Sequence, residues 1–325
     1  MPSTLSSPSS PVPAAFAALP PGATVAIVAP AGPAPAERLA AVPALLTAQG
    51  WQARIYPGCH AGHPSLGFLA APDAQRLADL QAALADPGVA AIWCLRGGHG
   101  SARLLPHLDL AAVRAAAKPL IGYSDITALF ALWAQAGVPA LHAPMPASDL
   151  LLPGQVAEAQ ADAAALFAVL REGLAEGALL APELQPGAWR LHGAGDGRAT
   201  GRLFGGNLAV LAALCGTPWE PRLRDGEGGL LFIEDVGEAP YRVDRLLLQL
   251  RLAGVLDGLA GVLVGRFSEA DDATPVLQDQ LGALGLPVLA GWPSGHGRPN
   301  RPLPLGLRAT LDVAAGTLRL HGAAA

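Results

Sequence analysis

The chain has 325 residues and a mass of 32.9 kDa, which suits about two domains at roughly 150 residues each. Half of it is apolar (51%) and only 14% is charged, so a large core can be buried and global disorder is excluded. A net charge of −5 and a pI near 5.9 argue against a nucleic-acid binder, which needs a basic stripe to displace counterions. Lys118 is the sole lysine and precedes Pro119. That excludes a P-loop, whose lysine precedes Ser or Thr, and argues against a pyridoxal Schiff base. Cys59, Cys94 and Cys215 fit neither a disulfide framework nor a zinc cluster, so a reduced, cytoplasmic setting is expected.

Residues 1–20 are rich in Pro, Ser and Ala, carry no basic residue, and read as a flexible leader without the positive start of a secretory signal. The apolar run 23–29 predicts a buried strand, closed by the loop Pro30-Ala31-Gly32-Pro33. A helix over 36–49 and a strand over 51–56 follow. The spacing of Leu77, Leu80 and Leu84 predicts an amphipathic helix over 73–85. The run 89–95 predicts a strand entering Arg96-Gly-Gly-His-Gly100, and 119–123 predicts another entering Ser124. Ile126, Leu129, Phe130 and Trp133 then lie on one helical face. The uncharged stretch 126–148 is cut by Pro139, Pro144 and Pro146 and is too broken to span a bilayer. Strands alternating with helices imply an α/β fold with a doubly wound parallel sheet for residues 21–150. Residues 151–190 read as helix and linker, and 191–325 as a second domain. There, strands are predicted over 230–233, 261–264 and 287–290, with helices over 206–215 and 242–253.

Ligands of open parallel sheets bind at the C-terminal ends of the strands, so the polar residues there are the candidates. Ser124 sits between a strand and a helix, the setting of a nucleophile elbow, where the N–H of Asp125 can face an oxyanion. Of the Gly-x-Ser-x-Gly pattern only Gly122 is present. Ser124 reads equally as an N-cap. Glu234-Asp235 follows a strand, and such a carboxylate can orient a histidine. Glu238 and Asp244 compete for that role, and an ordinary loop acid is the plain alternative. His296 lies between Gly295 and Gly297 after a strand. The Arg96–Gly100 loop lacks dinucleotide spacing. Its paired glycines admit close backbone approach, either as an oxyanion donor at the N–H of Gly98 or as a phosphate cradle. His60 and His63 beside Cys59 lack further ligands at metal-site spacing. Gly193–Gly197 reads as a turn. No metal or cofactor is expected.

Gly122-Tyr-Ser-Asp-Ile-Thr127 resembles the nucleophile motif of the LD-carboxypeptidases, serine peptidase family S66, which includes muropeptide LD-carboxypeptidases and microcin C self-immunity proteins. Val25–Pro30, Gly67–Ala70 with Asp79-Leu80, the Arg96-Gly-Gly loop, Gly205-Gly-Asn207, Leu231–Asp235 and Gly295–Gly297 with Asn300 resemble further family blocks in order. The resemblance implies a two-domain build. Its N-terminal part is similar to class I glutamine amidotransferases, and a smaller C-terminal α/β domain supplies the acid and the base. It implies Ser124 as nucleophile, Glu234 as acid and His296 as base, a murein tetrapeptide losing D-Ala as substrate, and a homodimer. His99, Ala143 and Pro302 depart from the family pattern. Cleavage of a peptidyl- or aminoacyl-nucleotide, a non-catalytic peptide- or phosphate-binding role, and a nucleophile at Cys94 are the alternatives.

Overall fold

The computed structural model describes residues 15–154, 157–221 and 228–322. Its first strands are β1 (Thr24–Val28), β2 (Gln52–Ile55), β3 (Val89–Cys94), β4 (Leu120–Gly122) and β5 (Ala140–His142). They pair in parallel in the order β5-β4-β3-β1-β2. β1 and β3 are buried along almost their whole length. This is why both read as unbroken apolar runs, as strands covered on both faces do. The strand order reverses between β1 and β3, and the crevice at such a reversal is where doubly wound sheets bind ligands.

The later strands are β6 (Leu179–Leu180), β7 (Arg190–Leu191), β8 (Arg198–Asn207), β9 (Gly229–Val236), β10 (Leu259–Ser268), β11 (Val288–Ala290), β12 (Leu303–Leu305), β13 (Arg308–Asp312) and β14 (Thr317–Leu320). All but β12 form a second sheet ordered β6-β14-β13-β8-β9-β10-β11-β7. Its centre, β8 to β11, is parallel, and its flanks are antiparallel. β12 leaves this sheet and pairs antiparallel with β5, Leu303 opposite His142. The chain is thus mixed α/β with two sheets, as expected. The interchange through β12 has no local sequence signal.

The helix Thr127–Ala136 joins the two sheets. Ile126, Leu129, Phe130 and Trp133 are all buried, each contributing about 1.5–3 kcal/mol in hydrophobic transfer. The same helix packs against β8, and Arg202 of β8 donates to the Ala134 carbonyl at 3.1 Å. One hydrophobic cluster therefore runs through both halves, from Ile27 and Trp93 to Leu203 and Phe232. A second cluster lies under the helices Pro240–Leu252 and Thr274–Gly282.

The expected leader is anchored at its inner end. Phe16 and Leu174 exchange backbone hydrogen bonds at 3.1 and 2.8 Å, and Phe16 and Leu19 are buried in the core. Residues 1–14 lie outside the described residues. Within 151–190 the chain forms the helix Ala157–Glu172 and the short strands β6 and the start of β7. The predicted helix over 206–215 is shorter, Leu208–Ala213, because β8 continues to Asn207.

Candidate active site

β4 ends at Gly122, and the chain turns at Ser124 into the helix Thr127–Ala136. Ser124 has φ +64°, one of three non-glycine residues with positive φ among the described residues. That conformation costs about 1–2 kcal/mol in an L-residue, and strain of this kind gathers at functional turns. The N-cap role is not what the structure shows. Neither the short turn Ser124–Ile126 nor the helix after it has a side-chain cap bond. The Ser124 hydroxyl instead lies 3.0 Å from Nε2 of His296.

His296 follows β11, on a loop held at several points. Its carbonyl accepts from Ser268 Oγ at 3.0 Å, and Gly295 N donates to Asn300 Oδ1 at 3.1 Å. Gly295 and Gly297 have φ of +121° and +105°. A Cβ at Gly295 would sit 2.8 Å from Glu234 Cβ, and one at Gly297 would sit 2.7 Å from Arg266 Cδ. The loop fits between β9 and β10 only because neither residue has a side chain.

Glu234 lies near the end of β9 and is fully buried. Its Oε2 is 2.7 Å from His296 Nδ1 and accepts from the His296 backbone N–H at 3.0 Å. Burial alone pushes this carboxyl up, but the imidazoles of His142 and His296 outweigh it and hold the group at about 2. Burial pulls the His296 imidazolium the other way, and the Glu234 carboxylate more than offsets it, so His296 titrates above its ordinary 6.5. The imidazole is thus fixed by the acid on one side and faces a hydroxyl on the other, the arrangement of an activated nucleophile.

The competing acids lie elsewhere. Asp235 points away from His296 and accepts from Asn207 Nδ2 at 2.8 Å and from Ala209 N at 2.9 Å, so it braces the turn after β8. Burial raises its carboxyl to about 6. Glu238 pairs with Arg242 at 3.7 Å, and Asp244 accepts from Gln280 at 2.8 Å.

The Gly-rich loop forms the facing wall. A Cβ at Gly97 would lie 2.8 Å from Ser124 Cβ, 3.0 Å from Ser124 Oγ and 3.5 Å from the backbone N of Asp125, so the loop can approach the nucleophile turn this closely because residue 97 is glycine. Gly98 is exposed, one residue further along, and packs on Gly32 of the loop after β1. Asp125 ties the nucleophile turn to this loop. Its Oδ2 accepts from Ser101 N at 2.8 Å, and its carbonyl accepts from Ser101 Oγ at 2.5 Å.

Several supporting residues were missed from sequence: Arg76 carries no motif, and Tyr123 lies inside the Gly122–Thr127 motif without a role read for it. Arg76, fully buried, donates to the Gly100 carbonyl at 2.9 Å and to the Pro30 and Ala71 carbonyls, locking both crevice loops together. Its only local signal is an arginine on the apolar side of a helix. Tyr123 lies with its ring 5.0 Å from that of His296 and donates to Asp149 Oδ1 at 2.9 Å. Burial raises Asp149 to about 6, against the Met145 N–H and the Tyr123 hydroxyl, which favour its charge.

The remaining sequence candidates have structural places. His63 Nδ1 accepts from Ser65 N and Leu66 N in a turn, and Cys59 is buried with its thiol pushed up to about 12. Cys94 lies inside β3, fully buried, and burial pushes its thiol far up, which disfavours the thiolate a nucleophile needs. His99 is exposed and stands edge-on to Phe68.

Residues 25–143 match the LD-carboxypeptidase N-terminal domain, and residues 200–311 match the LD-carboxypeptidase C-terminal domain. The chain belongs to the LD-carboxypeptidase family. The family is one of peptidases, and the two matched regions carry Ser124 on one side and Glu234 and His296 on the other. Among relatives, the murein tetrapeptide carboxypeptidase of Pseudomonas aeruginosa is 35% identical over 252 residues, covering 75% of this chain and 80% of its own. The crystal structure of muramoyltetrapeptide carboxypeptidase from Oxalobacter formigenes superposes with a TM-score of 0.76 at 31% identity, covering 91% of this chain and 97% of that one. The microcin C7 self-immunity protein MccF of Escherichia coli is 29% identical over 250 residues, 70% of this chain and 72% of its own.

Proposed function

We propose that this protein is a serine carboxypeptidase that releases the terminal D-Ala from murein tetrapeptides in the cytoplasm. The observation that carries the reading is the hydrogen-bonded series Ser124 Oγ, His296, Glu234, at 3.0 and 2.7 Å. The similarity to murein tetrapeptide carboxypeptidases supports the substrate.

In the reaction, Ser124 Oγ attacks the scissile carbonyl while its proton passes to His296 Nε2. Glu234 holds the Nδ1–H tautomer and offsets the charge of the imidazolium. The backbone N–H groups of Gly98 and Asp125 take the oxyanion, each such donor being worth about 3 kcal/mol in serine enzymes. His296 returns the proton to the leaving amine, and D-Ala departs. Water, deprotonated by His296, then attacks the acyl ester, and the Ser124 oxygen leaves with the proton. The proton transfers use the Ser124, His296 and Glu234 groups already within hydrogen-bond reach of one another.

Incubation with murein tetrapeptide, read by mass spectrometry for loss of one alanine, tests the reading. Wild type should release it and Ser124→Ala should not, with an unchanged melting temperature. Cleavage by Ser124→Ala at a near-wild-type rate overturns the assignment. The likeness to the self-immunity protein favours a second substrate class, an aminoacyl- or peptidyl-nucleotide. The ratio of kcat/KM on the two substrates decides between them.

A further inference from the structure

His142, at the end of β5, is fully buried, and neither ring nitrogen has a hydrogen-bond partner. Glu234 has one oxygen in the same condition. Oε2 takes both bonds from His296, whereas Oε1 is buried and unpartnered. These two orphans face each other, with His142 Nε2 3.8 Å from Glu234 Oε1. A buried carboxylate oxygen left without a donor costs about 1–3 kcal/mol or more, and an imidazole N–H is the group it lacks.

The surroundings fix the ring in this place. The His142 backbone lies between Gly122 of β4 and Leu303 of β12 in the sheet register. Its ring stands edge-on to Phe232 at 5.0 Å and tilted to Tyr123 at 5.5 Å. His142 therefore sits under the nucleophile strand and reaches across to the acid on the other sheet.

We propose that His142 is a positioning residue for catalysis, its Nε2–H donating to Glu234 Oε1 and fixing the carboxylate plane in which Oε2 meets His296. The 3.8 Å separation closes to a hydrogen bond by a movement of about 1 Å, of the kind by which catalytic bonds tighten when substrate is bound. The other titratable or charged groups around the pair are His296, Tyr123, Asp149 and Asp235, with Arg298 on the far side of Asp149. None of them is bonded to Oε1. The proposal rests on the Ser124–His296–Glu234 reading.

Two variants test it. His142→Phe keeps the aromatic packing and removes the donor, while His142→Gln keeps an amide N–H near Nε2. We expect His142→Phe to lower kcat about 10- to 100-fold, as loss of a charge-assisted hydrogen bond does, with KM little changed. Its acid limb in kcat/KM should move to higher pH, because Glu234 then binds the imidazolium proton more tightly. His142→Gln should restore kcat to within about threefold and return the limb to its wild-type position.

Wild-type kcat and pH limb in His142→Phe overturn the proposal. So does equal impairment of both variants in step with a lost melting temperature, which marks a packing role only. If His142→Phe does not fold, the histidine nitrogen shifts of the ¹⁵N-labelled wild type decide. A proton on Nε2 of His142 supports the proposal, and one on Nδ1 with bare Nε2 overturns it. Failure of the underlying reading looks different. Wild type itself would then show no Ser124-dependent turnover and no labelling by a fluorophosphonate.

Discussion

Thr127 and Asn207 join the two sheets directly beside the catalytic groups. The backbone N–H of Asn207 donates to Thr127 Oγ1 at 2.9 Å, and Gly206 packs on the same side chain with no room for a Cβ. Thr127 begins the helix three residues after Ser124, and Asn207 pairs with Glu234 in the register of β8 and β9. This buried contact between halves of the chain thus helps to set the position of the hydroxyl relative to the acid. Thr127→Val keeps the shape but leaves the Asn207 N–H without an acceptor. Stability should fall by about 1–3 kcal/mol, and kcat should fall more than KM changes. Denaturant unfolding and steady-state kinetics check this, and a variant unchanged in both would show that the contact does not set the site.

Glu234→Gln preserves volume but removes the charge that stabilises the imidazolium and lets the wrong tautomer form. By the behaviour of other triads, kcat should drop on the order of 10⁴-fold. The pH at which His296 titrates should fall at the same time, because its partner no longer favours the proton. Histidine NMR titration measures that shift, and an unmoved titration would disconnect Glu234 from His296.

Activity on the acid side should follow His296. The base acts as neutral imidazole, and its imidazolium is held above the ordinary 6.5 by Glu234, so kcat/KM should rise with pH through an apparent value above 6.5. The stability effects have opposite signs. A raised His296 adds stability below the unfolded value, and that contribution is lost as pH rises through the folded one. Glu234, lowered from 4.5 to about 2, adds stability above 4.5 that is lost as pH falls toward 2. A pH–rate profile with its acid limb clearly below 6.5 contradicts the assigned pair.

Gly295→Ala meets two obstacles, a φ of +121° and Glu234 atoms 2.8 and 2.9 Å from the new Cβ. Strain and overpacking together should cost about 2–4 kcal/mol, and turnover should fall because the loop carrying His296 is displaced. Gly62→Ala is the control. Its φ is +69° but nothing lies within 4 Å, so only the backbone cost remains and activity should be unchanged. Equal behaviour of the two variants in denaturant and in turnover would refute the packing argument.

The parts of the site readable without coordinates were those with a strong local pattern. Ser124 stands at a strand-to-helix turn, Glu234 closes an apolar run, and His296 lies between two glycines. Their roles came from the resemblance, since local sequence left Ser124 open to an N-cap role and Glu234 open to three competing acids. β8 was not legible, because Gly201, Gly205 and Gly206 interrupt its apolar alternation. Those glycines are there because neighbouring backbone and Thr127 press against the strand. Arg76 left only the signal of an arginine on the apolar side of a helix, and the role of His142 left none, for each works by contacts with residues distant in the chain.

From its residues alone the chain determined that its first half winds a parallel sheet, since β1 and β3 are apolar on both faces and alternate with amphipathic helices. It also determined which turns are tight enough to display a side chain. Only the tertiary structure decided that Oγ of residue 124 meets the ring of residue 296, that Asp235 turns away while Glu234 turns in, and that β12 crosses to the first sheet. Strand and helix periodicity is written in neighbouring residues, whereas the distance between two side chains 172 positions apart depends on how the sheets pack.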